Sequence, residues 1–324
     1  MTRPPLPEWA PHEAVWIGFP SHGELWEDDL APAQEEVAAF AKAVNAGGKG
    51  EAVWLVAAND EAAERARALA PFAKVITELF GDIWLRDTPA IILGSGKGRR
   101  GVDFRFNGWG GKYDLPGDDT IGVRLSVEAG LPCTSADWVL EGGAIDGDGS
   151  GTLITTEQCL LNPNRNPGMS RKDVEGALSR DLGFERFVWL GDGLLNDHTD
   201  GHVDNLARFV APGRVAIPTA ANGDPNAAVY KSAARRLADA RLDIVTLPSP
   251  GEIVRDGEII PASYMNFYIG NAVVVVPLYG SENDEAAVHA VQALFPDRKA
   301  VGLRADHVLT GGGSFHCISQ QLPL

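Results

Sequence analysis

The chain of 324 residues carries 44 acidic against 28 basic side chains, a formal net charge of −16. That balance excludes a nucleic-acid binder, which needs clustered Lys and Arg to neutralise phosphates, and suits a protein whose overall field draws in a small cation. Hydrophobic residues make up 44% of the chain, enough for a sizeable core, while the longest strongly apolar run, residues 272–279, is too short to span a membrane.

The N-terminal MTRPPLPEW lacks the apolar region of a secretory leader, and Cys133, Cys159 and Cys317 form neither a disulfide framework nor a zinc-finger spacing. A reducing cytoplasm is the expected location. No linker or low-complexity tract interrupts residues 1–324, which read as one domain. Along them a pattern recurs: an amphipathic helix, a short apolar strand, then a polar loop bearing an acid, a His or a Cys.

Residues 60–69 read as the first helix, with Asp60 placed to cap it, followed by a strand at 73–77 and the loop of Asp82 and Asp87. GSGKGRRG, residues 94–101, reads as an exposed hairpin tip. Residues 121–129 form a helix stopped by Gly130 and Pro132, with Glu141 beyond the next strand. DGDGSG, residues 146–151, has hairpin-turn chemistry. The helix at 170–182 has Ser170 as cap, Asp173 three residues on and Gly183 past its end; a strand at 186–190 and then His202 follow. Strands are expected at 203–210 and 215–218, a helix at 226–240, a strand at 243–247 and a loop before Ser263. A strand at 272–277, a helix at 283–295, a strand at 299–303 and Cys317 complete five rounds. A period of roughly 65 residues suggests a radial array of mixed modules, each lending one loop to a common centre, with a doubly wound sheet as the alternative.

Three patches and one further acid carry candidate chemistry. In FGDIWLRDTPA, alternation on an extended segment would put Asp82, Trp84 and Arg86 on one side and Asp87 on the other, unless Arg86 forms only a surface ion pair. In NDHTDGHVDN, His202 and Asp204 stand two apart on an expected strand and face one way, suited to acid-base work, to metal binding or to a satisfied core histidine. In LTGGGSFHCISQQ, three glycines allow a close backbone approach just before Cys317, the setting of a reactive thiol, whereas Cys133 and Cys159 read as core. Glu141, directly before two glycines, has little packing reason for its place.

Zinc held by His202, Asp204, His316 and Cys317 has no supporting spacing, and a papain-like Cys-His hydrolase does not need so many acids. Carboxylates around a thiolate disfavour it unless the substrate brings positive charge. A guanidinium, gripped by two Asp side chains while a thiol attacks its central carbon, resolves that conflict.

PEWAPHEAVWIGFP, DIWLRDTPA, FNGWGGKY, EGGAIDGDGSGTLITTEQCLLNPNRNP, DGHVDN, ASYMNFYI and GGGSFHCISQQLP, in this order, resemble the agmatine deiminase family, bacterial peptidyl-arginine deiminase-like enzymes included. The resemblance implies the pentein fold, an α/β propeller of five ββαβ modules around a central active site. It also implies Cys317 as nucleophile, His202 as acid-base residue, Asp87 and Asp204 as the guanidinium pair and Glu141 as a third carboxylate. Trp84 and Asp82 would line the approach for the substrate tail, with Gly313 beside the nucleophile. Ala90 and His198 depart from the family pattern while sparing these residues. The implied reaction hydrolyses agmatine to N-carbamoylputrescine and ammonia through a covalent amidino-cysteine (thiouronium) intermediate, a step toward putrescine, with no metal or organic cofactor. The implied partner is a small cationic guanidino substrate; the sequence leaves a homo-oligomer open. Deimination of another guanidine or of a peptidyl C-terminal arginine is the alternative, and a non-catalytic polyamine- or guanidine-binding protein belongs to a different class.

Overall fold

Local signals set the element ends where the sequence announces them. Ser170 accepts from the Asp173 N–H and Asp173 returns the bond to the Ser170 backbone, opening helix Arg171–Leu182, and Gly183 closes it in the left-handed conformation at φ +76°. At helix Asp60–Leu69 the cap is Asn59, whose side chain accepts from the Ala62 N–H; Asp60, the expected cap, lies inside the first turn. The computed structural model describes residues 2–255 and 257–324.

Four three-stranded sheets share one plan, an antiparallel pair followed by a parallel strand reached through a helix. They are Ile91–Leu93, Arg100–Arg105 and Cys133–Val139; Ile145–Gly147, Thr152–Thr155 and Arg186–Trp189; Arg208–Ala211, Arg214–Thr219 and Asp243–Pro248; and Tyr268–Ile269, Val273–Leu278 and Lys299–Arg304. The hairpins expected at 94–101 and 146–151 connect the antiparallel pairs of the first two. A four-stranded sheet closes the ring by joining the chain ends: C-terminal Ser319–Pro323 pairs antiparallel with His12–Phe19, which runs parallel to Ala52–Ala57, while Val254–Arg255 and Glu258–Ile259 form a separate two-stranded pair. This is the five-module propeller that the recurrence suggested.

Two expectations need correction. The helix that joins the parallel strands of the ring-closing sheet is Leu30–Asn45; Asp60–Leu69 leads instead to an additional fourth strand, Lys74–Thr77. Leu30–Asn45 buries Ala33, Gln34, Val37, Ala38, Phe40, Ala41 and Val44, a stripe that mixes three alanines with Val37, Phe40 and Val44. The strand expected at 203–210 begins only at Arg208, because Val203–Asn205 make a single 3₁₀ turn.

In every module the last strand hands over to the first strand of the next through a loop at the centre: residues 78–90, 140–144, 190–207, 249–267 and 305–318. The apolar core lies outward, between sheets and helices, in clusters such as that of Trp16, Phe40, Tyr268 and Phe315. The loops are thus held rigidly from behind while their polar side chains meet.

Candidate active site

Cys317 is fixed through its backbone. The N–H groups of His316 and Cys317 both donate to Asn266 Oδ1, at 3.0 and 3.2 Å, and the Cys317 carbonyl accepts from the Arg86 N–H at 2.9 Å. A Cβ on Gly313 would stand 2.6 Å from the Trp84 ring and 2.9 Å from Cys317 Cβ, so the glycine is required by the close approach. Asn266 Nδ2 donates to Cys317 Sγ at 3.0 Å, and Asp204 Oδ2 lies 3.4 Å from the same sulfur. Burial pushes the thiol well above its ordinary range, and the charges of Asp204 and Asp87 push it further.

Five candidates meet here, none more than 6% exposed: Cys317, His202, Asp87, Asp204 and Glu141. Their convergence survives two local corrections. His202 and Asp204 flank the start of a 3₁₀ turn rather than alternating on a strand, and residues 83–88 turn tightly rather than extending, the Asp87 N–H donating to the Trp84 carbonyl. Gly143 shows how close the groups come, since a Cβ there would lie 2.6 Å from His202 Nδ1, 2.9 Å from Asp87 Oδ1 and 3.3 Å from Asp204 Oδ2.

Asp87 accepts from two neutral donors, the Gly143 N–H at 2.9 Å and the Trp109 indole at 3.0 Å. Burial raises its pKa; His202 pulls it back, but Asp204 and Glu141 add to the rise and leave it above the usual range. Asp204 has a histidine partner instead. Its Oδ2 lies 2.8 Å from His316 Nδ1, and although burial raises its pKa, His316, His202 and Arg208 outweigh that and hold it below the usual range. The second oxygen, Oδ1, is buried without a hydrogen-bond partner.

His202 lies 3.7 Å from Asp87 Oδ1 through Nδ1 and 3.9 Å from Glu141 Oε2 through Nε2, and neither ring nitrogen is hydrogen-bonded. Burial alone would lower its pKa, but Asp87 first, then Cys159 and Glu141, lift it well above the ordinary value. Glu141 is anchored by Arg165, whose Nε donates at 2.6 Å; the arginine is held in turn by Asp200 at 2.5 Å and the Thr199 carbonyl at 2.7 Å. Burial raises Glu141, and His202 and Arg165 reverse this to a net lowering. Glu141 thus favours its carboxylate form, paired with Arg165 and facing His202.

Cys159 is buried as expected but is more than a filler, since its Sγ lies 3.9 Å from Glu141 Oε2. Cys133 is only half buried. Glu141, Cys159 and His202 form the one group of ligand-type side chains, among the described residues, whose ligand atoms all lie within 4.8 Å of one another. This is not the zinc set weighed from sequence, and the Arg165 guanidinium on Glu141 opposes a divalent cation there.

Above Cys317 opens a cavity of about 230 Å³, lined among others by Trp84, Trp109, Leu25, Leu115, Asp82 and Asp87. Asp82 lines it, yet its oxygens hold the walls: Oδ1 accepts from Trp26 Nε1 at 3.0 Å and Oδ2 from Trp84 Nε1 at 2.8 Å. Arg86 is no surface pair; it is buried and donates to Glu8 at 3.2 Å and Gln321 at 2.9 Å. His198 sits at the rim, 3.1 Å from the Tyr113 hydroxyl. Sequence reasoning singled out neither Asn266, Trp109, Arg165 nor Glu8; they stand in the ASYMNFYI, FNGWGGKY, NPNRNP and PEWAPHEAVWIGFP segments, and only their place in those motifs marked them.

Comparison with known proteins agrees with this arrangement. A family profile described as Porphyromonas-type peptidyl-arginine deiminase matches residues 5–323. An agmatine deiminase of Stutzerimonas stutzeri is 38% identical over 349 aligned residues, covering 98% of this chain and 94% of its own. The structure of an agmatine deiminase of Enterococcus faecalis superposes with a TM-score of 0.92 at 35% identity, over 99% of this chain and 96% of that one. An amidinotransferase of Microseira wollei, with a TM-score of 0.55 and 14% identity over 99% and 96% of the two chains, shares the fold.

Proposed function

The chain belongs to the Porphyromonas-type peptidyl-arginine deiminase family, and from that premise we propose that it hydrolyses agmatine to N-carbamoylputrescine and ammonia, with Cys317 as the nucleophile. The observation that carries this reading is the placement of Asp204 Oδ2 3.4 Å from Cys317 Sγ, with Asp87 Oδ1 and Asp204 Oδ2 both within 3.3 Å of the point a Gly143 Cβ would occupy. Two buried carboxylates beside a buried thiol suppress its ionisation, and a guanidinium seated between them offsets both charges and permits it. Substrate binding and thiolate formation are thereby coupled, the thiol proton passing to solvent as the guanidinium enters and the adduct's hydroxyl proton returning to the sulfur when the C–S bond breaks.

The thiolate adds to the guanidinium carbon. His202, an imidazolium at neutral pH because of Asp87 and its neighbours, gives a proton to one amino group, which leaves as ammonia. Atom balance refines the expected intermediate: ammonia carries off one nitrogen, so the thiouronium on Cys317 keeps the whole aminobutyl tail and is not a bare amidino group. Neutral His202 then takes a proton from water, the resulting oxygen attacks the same carbon, and collapse breaks the C–S bond, releasing the ureido product. Glu141, fixed by Arg165, stabilises the imidazolium that exists before the first proton transfer and again after the second. Each step uses protein groups and water.

The cavity supports agmatine over arginine. Its walls are indole and leucine, its charged side chains are Asp82 and Asp87, and it is lined by no Lys or Arg, among the described residues, to pair with a carboxylate. All five modules contribute a loop to the centre, which supports reading the chain as one domain. No helix of the described residues is long and apolar enough to cross a membrane, and Cys133, Cys159 and Cys317 are free thiols, in keeping with a cytoplasmic enzyme. Competition of agmatine, free arginine and an arginine-ended peptide, followed by ammonia release, tests the assignment. Agmatine should have the highest kcat/KM; preference for arginine or the peptide would replace it, and no turnover of any of the three would reject deimination.

A further inference from the structure

Beneath the thiol lies a cluster of buried charges that the steps above do not use. His316, 1% exposed, bridges two carboxylates: Nδ1 is 2.8 Å from Asp204 Oδ2 and Nε2 is 2.8 Å from Glu8 Oε1. A neutral imidazole has one N–H and one lone pair, so it can donate to only one of these anions, and the other contact would set two lone pairs against each other. Both contacts are hydrogen bonds only if the ring carries two protons or one carboxyl keeps its own.

The surroundings disfavour the second case. Glu8 is the hub of a cationic pocket, accepting from Arg86 at 3.2 Å and from Arg208, whose Nε also donates to Asp146 at 2.7 Å. Burial raises the Glu8 carboxyl, but Arg208, His316 and Arg86 together hold it well below the usual range. Asp204 is likewise held low, and its Oδ1 stays free of protein partners while Oδ2 receives His316 and, at 3.3 Å, Asn266.

We infer that His316 is a doubly protonated positioning residue, clamped between Asp204 and Glu8, that locks Asp204 Oδ2 beside Cys317 and leaves Oδ1 facing the substrate guanidinium. The inference rests on the reading of Asp204 as one arm of the guanidinium clamp. Its consequence is that the N-terminal segment completes the site from behind. Glu8 precedes the first strand, His12–Phe19, and lines a cavity with Arg86 and Asp146 that is separate from the one containing Cys317.

Histidine-selective ¹⁵N NMR of the resting enzyme at neutral pH counts the protons on His316 without any substrate, the signal being assigned by its disappearance in His316→Gln. Both ring nitrogens should be protonated in the wild type and only one in Glu8→Gln. With agmatine, Glu8→Gln should lower kcat/KM by on the order of 10²-fold, more through KM than through kcat, as expected for a displaced binding group, and Glu8→Asp should recover part of the loss. A singly protonated His316 in the wild type overturns the inference, as does a folded Glu8→Gln with wild-type kcat/KM. If Glu8→Gln fails to fold, the wild-type spectrum still decides the protonation state, and unchanged KM in His316→Gln would overturn the positioning role. A wild-type enzyme inert toward agmatine defeats the proposed activity and leaves the NMR result to stand or fall separately.

Discussion

The two aspartates that gather beside Gly143 are the same residue type in opposite environments. Asp87 is held by an indole and a backbone N–H, both neutral, and its pKa is raised by burial that those donors do not offset. Asp204 is held by His316, with Glu8 and Arg208 behind it, and is kept an anion despite complete burial. The comparison teaches that the partners of a buried carboxylate, rather than its depth, set its charge. On the proposed reading Asp204 is the anion against which the guanidinium docks, while Asp87 faces His202.

Substitution should separate the two arms. Asp204→Asn removes the charge that both His316 and the substrate require, and breaking a buried charged contact costs about 3–5 kcal/mol, so kcat/KM for agmatine should fall by about 10²–10⁴-fold; steady-state kinetics within tenfold of the parent would reject the clamp. Asp87→Asn should cost less in kcat/KM and change the pH profile in a definite direction. His202 is raised chiefly by Asp87, so the parent keeps its imidazolium to alkaline pH, and losing that partner should move the alkaline limb of kcat to lower pH. An unmoved limb would mean that His202 is not the titrating acid.

Asp118, outside the reacting group, gives the smallest effect and a control on stability. It accepts from the Gly81 N–H at 2.6 Å, its Oδ2 has no hydrogen-bond partner, and burial, with a further contribution from Asp82, raises its pKa to about 7. A carboxyl whose pKa is raised on folding contributes stability below its unfolded value, and this is lost as pH rises through the folded value. Asp118→Asn should therefore raise the melting temperature at pH 8 by a few degrees and change it little at pH 5. Destabilisation at pH 8 would show that the ionised carboxylate is better satisfied than this geometry implies.

The sequence disclosed the helix-strand-loop recurrence because capping and stop residues such as Ser170, Asp173 and Gly183 mark element ends chemically, and it disclosed the reacting group because Cys317, His202 and the acids stand in glycine-rich loops where packing does not call for them. It hid helix Leu30–Asn45, half of whose buried apolar side chains are alanine, and so the first module was centred on the wrong helix. It also suggested a strand at 203–210, since buried Asp204 and Arg208 mimic the exposed positions of an alternating strand when their charges are in fact paired inside. Glu8, Arg165 and Asn266 were hidden for a related reason. Each is an ordinary polar residue in its own segment and acquires a role only through a partner far away in the chain, a relation that no local period or cap can encode.

Trapping the covalent intermediate tests the central claim most directly. Acid-quenched enzyme, sampled during agmatine turnover and read by intact and peptide mass spectrometry, should carry on the Cys317 peptide an adduct of about 113 Da, agmatine less ammonia, and Cys317→Ser should show neither adduct nor ammonia release. Ammonia release by Cys317→Ser at the parent's rate would contradict the account, as would an adduct of about 42 Da, the bare amidino group left when the amine rather than ammonia departs first.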